Sequence, residues 1–180
     1  STSHRVHQAR FMKELLRDRG LVTGRFDGRY TGFDSEAAGD GPEHDPSLSA
    51  IRGAFTAAMN DYLRNKLGVK SDLTYEVLTG RVHPWNYKPF ENRYLNMASS
   101  LATAMRLNPA LKVYVASGAY DLATPYLATN ITLERMPIPP GLRPNIRSLL
   151  YPAGHMMYTQ PEVLEKMSAD LRDFVEWAAP

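Results

Sequence analysis

The 180-residue sequence predicts an α/β fold that ends in a strand-helix-strand-helix unit. Residues 111–118 are a short run of β-branched and aromatic residues closed by glycine, and residues 146–154 are a second short run of similar length. A helical pattern follows each run, and two strands joined through a crossover helix must be parallel. Residues 1–108 show mainly helical periodicities separated by irregular loops.

The composition is that of a globular protein, with 43% hydrophobic and 22% charged residues. The 21 basic and 19 acidic residues leave a net charge of +2, too small a field to attract nucleic acid, and we expect no such partner. No apolar run approaches the roughly 20 residues of a membrane-spanning helix, so we expect no membrane partner either. The absence of cysteine excludes disulfides and thiolate catalysis but leaves the redox compartment open.

The first predicted element is a helix that runs to about Arg19. Met12, Leu15 and Leu16 lie on its apolar face, and Gly20 provides a stop signal. Residues 24–46 hold several glycines and acidic residues without apolar periodicity. They are predicted to be mostly loop, with a short extended piece at residues 25–31, and to be the least core-like part of the chain.

A second helix is predicted from Asp45, which caps it, through Pro46 at the first helical position to Leu67 and the stop signal Gly68. Apolar residues recur along it at helical spacing: Ile51, Phe55, Ala58, Met59 and Tyr62. Residues 73–78 are predicted to form a short strand.

Residues 79–92 form a proline-punctuated loop whose aromatic residues are Trp85, Tyr87 and Phe90. These rings either line a cleft or pack beneath the preceding helices, and packing is favoured. A third helix is then marked by apolar residues at helical spacing and ends before Asn108: Tyr94, Ala98, Leu101 and Met105.

The strand-helix-strand-helix unit begins at Leu111. Its first helix opens at Thr124-Pro125 and reaches about Met136, and a proline-rich connection leads to the second strand. Thr159 and Glu162 have the spacing of a capping box for the final helix. Two parallel strands make an inadequate sheet, because each leaves an edge unpaired. We therefore expect these residues to be one part of a larger α/β domain whose other strands precede residue 1.

Asp121 follows the first strand of this unit and His155 follows the second. Functional groups of open parallel sheets collect on loops beyond the carboxyl ends of the strands. An acid and then a histidine in these positions form the second half of the order Ser, Asp, His, in which the acid orients an imidazole that relays the proton. The sequence thus indicates Asp121 and His155 as candidate catalytic residues.

Two segments carry a more specific resemblance, VYVASGAYDLATPYLATNITLERM around Asp121 and YPAGHMMYTQPEVLEKMSADLRDFV around His155. They resemble the aspartate and histidine segments of serine carboxypeptidases, a family of the α/β-hydrolase superfamily. The resemblance extends upstream to segments like the helical cap of bacterial members. It implies that residues 1–108 are a cap or insertion region and residues 109–180 the carboxyl-terminal βαβα portion of the hydrolase core.

The resemblance implies peptide-bond hydrolysis at a carboxyl terminus, a peptide substrate, and a secreted or periplasmic location. The sequence departs from the family pattern because it has no Gly-x-Ser-x-Gly element, and none of its eleven serines follows a strand as the nucleophile does. Ala119 and Pro125 also replace an acidic residue and a nearby asparagine of many eukaryotic members. The resemblance therefore implies that the serine lies in a preceding amino-terminal part of the same enzyme, and that this chain alone is inactive.

Other interpretations remain open. The chain could be a non-catalytic fragment that self-associates through its strand edges, or part of an esterase or acyltransferase of the same fold. Met156 and Met157 either line a substrate pocket or pack against the cap.

We expect no metal and no cofactor. His4 and His7 have no third ligand in view, and the acidic residues of 34–45 lack the ligand spacing of a calcium loop.

Overall fold

A computed structural model describes residues 8–35, 38–93 and 95–179, and within them shows helices together with small antiparallel and parallel sheets. The helices are α1 (Gln8–Glu14), α2 (Pro46–Asp61), α3 (Ala98–Leu107), α4 (Tyr126–Glu134) and α5 (Pro161–Ala178). The strands are β1 (Leu21–Thr23), β2 (Thr31–Phe33), β3 (Val113–Gly118) and β4 (Ile146–Tyr151). At this coarse level the predicted α/β class is confirmed.

The first helix is shorter than predicted, because α1 ends at Glu14 and only a 3₁₀ turn at Arg17–Arg19 follows. Gly20 adopts a φ of +64°, which reverses the chain into β1. Lys13 anchors α1 to the following loop: its Nζ lies 2.9 Å from Asp34 Oδ2 and donates to the Ala38 carbonyl at 2.7 Å. Asp34 of the acidic segment thus takes part in a buried ion pair.

Strands β1 and β2 pair antiparallel, with Leu21 opposite Phe33 and Thr23 opposite Thr31. The predicted extended piece at residues 25–31 is wrong, because residues 24–30 form the turn between these strands. The expectation that residues 24–46 are the least core-like part of the chain is also wrong. Gly24 is buried and Asp27 in the turn is only 7% exposed, whereas none of the described residues of 69–97 is buried.

Helix α2 has the predicted start. Asp45 Oδ1 accepts hydrogen bonds from the backbone N–H groups of Ser47 at 3.0 Å and Leu48 at 3.4 Å, and Pro46 occupies the first turn. The helix widens into a π-helical turn at Tyr62–Lys66, and Gly68 follows with a φ of +66°. The predicted end near Leu67 is therefore confirmed.

Residues 69–97 contain no strand in their described part, so the predicted strand at 73–78 is wrong. Leu73 is 80% exposed, because no second strand pairs with this segment. Trp85 and Tyr87 are 61% and 57% exposed, so the favoured packing is wrong for both rings. Phe90 lies 5.1 Å from the guanidinium carbon of Arg93.

Helix α3 is confirmed from Ala98 onwards, whereas Tyr94 lies outside the described residues. It contributes to a hydrophobic cluster whose buried members are Ala102, Met105, Met136 and Ile138. Val113 of β3 and Ile146 of β4 pack against this cluster. Since these two residues are opposite each other, the cluster covers one face of the parallel sheet.

Strands β3 and β4 pair in parallel from Val113 opposite Ile146 to Gly118 opposite Tyr151, as predicted. Their other face bears Ala116 and Leu149, which pack against a second cluster: Tyr151, Ala153 and Val163 of α5. Side chains alternate between the two faces of a strand, so each face of the sheet contacts one of the two clusters, although Leu150 of β4 remains 52% exposed.

The predicted capping box of α5 is wrong. Helix α5 is preceded by Gln160, and Thr159 Oγ1 instead donates to the Met156 carbonyl at 2.8 Å. Pro161 fixes the first helical position, which places Thr159 one residue too early to cap.

A polar network fastens α5 to the sheet. The Tyr151 hydroxyl donates to Asp170 Oδ2 at 2.7 Å and is also hydrogen-bonded to the Tyr114 hydroxyl. Burial, followed by these two hydrogen bonds, raises the pKa of Tyr151 far above its ordinary value. Hydrogen bonds from Lys166 and then Tyr151 lower the pKa of Asp170.

Much of the molecule's surface is uncovered. The accessible surface is 13121 Å², against about 8,800 Å² expected for a folded monomer of 20.2 kDa. In the described ranges β3 and β4 pair only with each other, so the outer edge of each strand is unpaired there. None of the helices within these ranges is both long and apolar enough to cross a membrane.

Candidate active site

The two predicted catalytic residues lie together beyond the carboxyl ends of β3 and β4. Asp121 Oδ2 is 2.8 Å from His155 Nδ1. The Asp121 side chain is 5% exposed, whereas the His155 side chain is 39% exposed. The pair therefore joins a buried acid to an imidazole that solvent can reach.

Thr124, in the loop just before α4, supports the carboxylate of Asp121. The backbone N–H groups of Ala123 and Thr124 donate to Oδ1 at 2.7 and 2.9 Å, and the Thr124 hydroxyl donates to Oδ2 at 2.6 Å. Burial acts to raise the pKa of Asp121, but the hydrogen bonds from Thr124 and His155 outweigh it. The pKa of this carboxyl consequently lies below its ordinary value, which keeps Asp121 ionised at neutral pH.

An ionised Asp121 fixes the tautomer of His155. A carboxylate only accepts hydrogen bonds, so Nδ1 must carry the proton and donate it to Oδ2. The Thr124 hydroxyl oxygen also lies 3.3 Å from Nδ1. Nε2 of neutral His155 is then a free base, and in the described residues it has no hydrogen-bond partner.

The β1–β2 turn, residues 24–30, holds both site loops in place. The backbone N–H of His155 donates to the Phe26 carbonyl at 2.6 Å, and that of Leu122 donates to the Arg25 carbonyl at 3.1 Å. In return, the Gly28 N–H donates to the Tyr120 carbonyl at 2.8 Å. The Phe26 ring also lies 5.3 Å from the His155 ring, centroid to centroid.

Two glycines allow this close approach. A Cβ added to Gly118 would lie 2.2 Å from the Gly154 carbonyl oxygen, and one added to Gly154 would lie 2.4 Å from the Phe26 carbonyl oxygen. Backbone atoms cannot move aside for such contacts without shifting a strand or a loop. Glycine is therefore required where the two loops and the turn meet.

Sequence reasoning missed the turn as a component of the site. The nearest signal in the sequence is the cluster Gly24, Asp27 and Gly28, which predicts only a loop with a short extended piece. Asp27 is instead mostly buried and binds Arg29 at 2.6 Å, and the Arg29 guanidinium carbon lies 4.3 Å from the centre of the Tyr120 ring. The hydrogen bond to Asp27 is the largest of the effects that raise the pKa of Arg29.

The two candidate substrate-binding methionines have different surroundings. Met157 packs against the second hydrophobic cluster, beside Ala153 and Val163. Met156 is partly exposed, and its carbonyl accepts the Thr159 hydroxyl. A pocket-lining role for either methionine stays a prediction, and Met156 is the one with no packing role in the cluster.

Across residues 8–35, 38–93 and 95–179, no group of three or more metal-ligating side chains comes together. His4 and His7 lie outside these residues.

The site lacks a nucleophile within the described residues. The imidazole's hydrogen-bond partners there are Asp121 and Thr124, and no serine hydroxyl contacts it. Ser117, the serine nearest in sequence to Asp121, lies inside β3 and is 9% exposed. The described residues thus form a mixed α/β structure in which an acid–imidazole pair lies at the carboxyl ends of two parallel strands.

Comparison with protein families, with curated proteins and with solved structures gave no significant match.

Proposed function

We propose that this chain supplies the acid and the base of a serine hydrolase of the carboxypeptidase type, as part of an α/β-hydrolase fold. One observation carries the proposal: Asp121 and His155 are hydrogen-bonded at 2.8 Å on loops that follow adjacent parallel strands. In this arrangement an acid orients a histidine for proton relay. Because Asp121 binds Nδ1, Nε2 is left to accept a proton from a nucleophile.

In the proposed reaction a serine hydroxyl attacks the carbonyl carbon of the last peptide bond, and His155 Nε2 takes its proton. Asp121 stabilises the imidazolium that forms. The imidazolium then protonates the leaving amino acid as the C–N bond breaks, which leaves an acyl-serine. Water, deprotonated by Nε2, attacks this ester; the proton returns to the serine as it leaves, and the shortened peptide is released.

The serine is proposed to come from a preceding amino-terminal part of the same enzyme, joined to the free edge of β3. The accessible surface exceeds that of an ordinary monomer by about 4,000 Å², which is more than the roughly 1,000–2,500 Å² that one partner of an obligate complex commonly buries. A parallel strand added at this edge would bring its own carboxyl end, and the loop beyond it, to the same side as Asp121.

A complementation assay tests the proposal. The chain is refolded with a polypeptide that carries the nucleophile-bearing strands, and release of the last residue from a blocked dipeptide is measured. We expect turnover only from the mixture, and a loss of about 10⁴-fold or more with His155→Ala. Full activity of the His155→Ala mixture would sink the proposal, provided that circular dichroism shows both variants folded.

The unpaired strand edges also favour a second candidate, a self-associating module without catalysis. Sedimentation equilibrium of the chain alone separates the two. A stable dimer that persists when the polypeptide with the nucleophile-bearing strands is added would favour self-association. A dimer that gives way to a complex with that polypeptide would favour the enzyme.

A further inference from the structure

We infer that Thr124 is a positioning residue for His155, because its hydroxyl holds Asp121 Oδ2 toward Nδ1 and gives the Nδ1 proton a second acceptor. This role rests on the proposed function, since the imidazole that Thr124 holds is the one that relays the proton. Its consequence is that His155 keeps one orientation and one tautomer while Nε2 gains and loses a proton.

The hydroxyl of Thr124 contacts both members of the acid–imidazole pair. It donates to Asp121 Oδ2 at 2.6 Å, and its oxygen lies 3.3 Å from His155 Nδ1, which in turn lies 2.8 Å from Oδ2. Because the hydroxyl proton is given to Oδ2, the lone pairs of the hydroxyl oxygen stay available to the Nδ1 proton. That proton thus has a near acceptor in the carboxylate and a second, weaker one in Thr124.

Helix capping does not account for this hydroxyl, although threonine in front of a helix is often a cap. Helix α4 begins at Tyr126, and the residue in the capping position is Pro125, whose side chain has no polar group. In the described residues the hydrogen-bond partners of the Thr124 hydroxyl are Asp121 and His155.

Other threonine hydroxyls of the chain bind within their own helix. Thr103 in α3 and Thr132 in α4 each donate to the backbone carbonyl four residues earlier, at 2.9 and 2.8 Å. Thr124 donates instead to a buried carboxylate, which is a stronger acceptor than a carbonyl because it is charged.

Thr124 is itself fixed relative to the carboxylate. Its backbone N–H donates to Asp121 Oδ1 at 2.9 Å, beside the N–H of Ala123 at 2.7 Å. Since these two bonds hold Oδ1, the hydroxyl acts on the other oxygen and fixes the rotation of the carboxylate plane. The branched side chain of threonine has few χ1 rotamers, and the following Pro125 restricts the backbone of residue 124. A positioning group needs this rigidity, because a displaced group would lose the alignment.

The test follows the His155 ring by NMR in the isotopically labelled chain, at a pH where the imidazole is neutral. The chemical shifts of the two ring nitrogens give the ratio of the Nδ1–H to the Nε2–H tautomer. We expect Thr124→Val, which removes the hydroxyl and keeps the shape of the side chain, to lower this ratio about three- to tenfold. Thr124→Ser keeps the hydroxyl and should restore the wild-type ratio.

Two further variants complete the test. Thr132→Val is the matched control, since Thr132 is exposed as Thr124 is and its hydroxyl forms a hydrogen bond of similar length. It should leave the tautomer ratio unchanged. Thr124→Ala also removes the hydroxyl and adds no methyl group beside the carboxylate, so it gives the answer if circular dichroism shows Thr124→Val to be misfolded.

An unchanged ratio in a folded chain without the Thr124 hydroxyl, an equal change in Thr132→Val, or no recovery in Thr124→Ser would each overturn the role. In the complementation assay, loss of the hydroxyl should lower kcat about three- to tenfold with KM unchanged. Turnover together with an unchanged tautomer ratio would reject Thr124 alone. A shifted ratio without turnover in any mixture would reject the catalytic proposal, whereas the effect of Thr124 on the imidazole would stand.

Discussion

Two irregular segments of this chain, the β1–β2 turn and residues 69–97, have very different surroundings. The sequence predicted the turn to belong to the least core-like part of the chain, and the longer segment to hold a short strand and a loop with packed aromatic rings. The turn has buried residues and exchanges backbone hydrogen bonds with both site loops, whereas the longer segment leaves Leu73 and Trp85 largely exposed. The difference shows that irregular backbone becomes part of the core where another element satisfies its N–H and C=O groups. Composition alone does not reveal which loops have such a partner.

The largest effect is expected from a substitution that disrupts the packing of the turn. Gly154→Ala places a Cβ 2.4 Å from the Phe26 carbonyl oxygen and should destabilise the chain by about 3 kcal/mol or more, measured as a lower urea midpoint. Gly80→Ala in the long segment is the matched control, because its new Cβ meets nothing within 4 Å. It should change stability by less than about 0.5 kcal/mol. Equal effects of the two substitutions would contradict the contrast between the segments.

An intermediate effect is expected from a substitution of Asp121. Asp121→Asn weakens hydrogen bonds to a buried carboxylate and should cost about 1–3 kcal/mol at pH 7. Because the folded-state pKa of Asp121 lies below its ordinary value of 3.8, its ionised form stabilises the fold above that value. This contribution is lost as the pH falls through the folded-state pKa.

The stability difference between wild type and Asp121→Asn should therefore shrink as the pH falls from 6 to 2, in urea unfolding series at each pH. Asp72→Asn, an exposed acid in the long segment, is the control and should show little effect at any of these pH values. A difference for Asp121→Asn that does not vary with pH would show that the carboxylate is not held in its charged form.

The smallest effect is expected in the long segment itself. Trp85→Ala removes a large ring that is 61% exposed, and should change the free energy of unfolding by less than about 0.5 kcal/mol. The same substitution at a buried aromatic residue costs several times more. A loss above about 2 kcal/mol would mean that this ring is covered in solution, for example by a second copy of the chain.

The sequence predicted the elements with strong local signals. Strand β3 has a β-branched and aromatic run closed by glycine, β4 is a second short run, and α2 has both a cap and a stop glycine, so each is predicted from its own residues. The Asp121–His155 pair was found because the parallel order of two strands brings their carboxyl ends together.

The failures involve partners distant in sequence. Residues 73–78 have strand-like composition but no strand to pair with, and β1 and β2 are too short, at three residues each, to show a periodicity. The contact of Phe26 with His155 joins residues far apart in the chain, so no local pattern could indicate it. The capping box at Thr159 failed for a local reason, since Pro161 sets the start of α5.

The turn holds the two site loops through main-chain atoms, namely the carbonyls of Arg25 and Phe26 and the N–H of Gly28. Almost any residue at position 25 could supply the same carbonyl, so the side chain there is free to change without loosening the scaffold. The number of residues in the turn is not free, because an insertion would move these groups out of register. We therefore expect substitutions at position 25 to leave the site loops in place, whereas insertions or deletions in the turn would displace them.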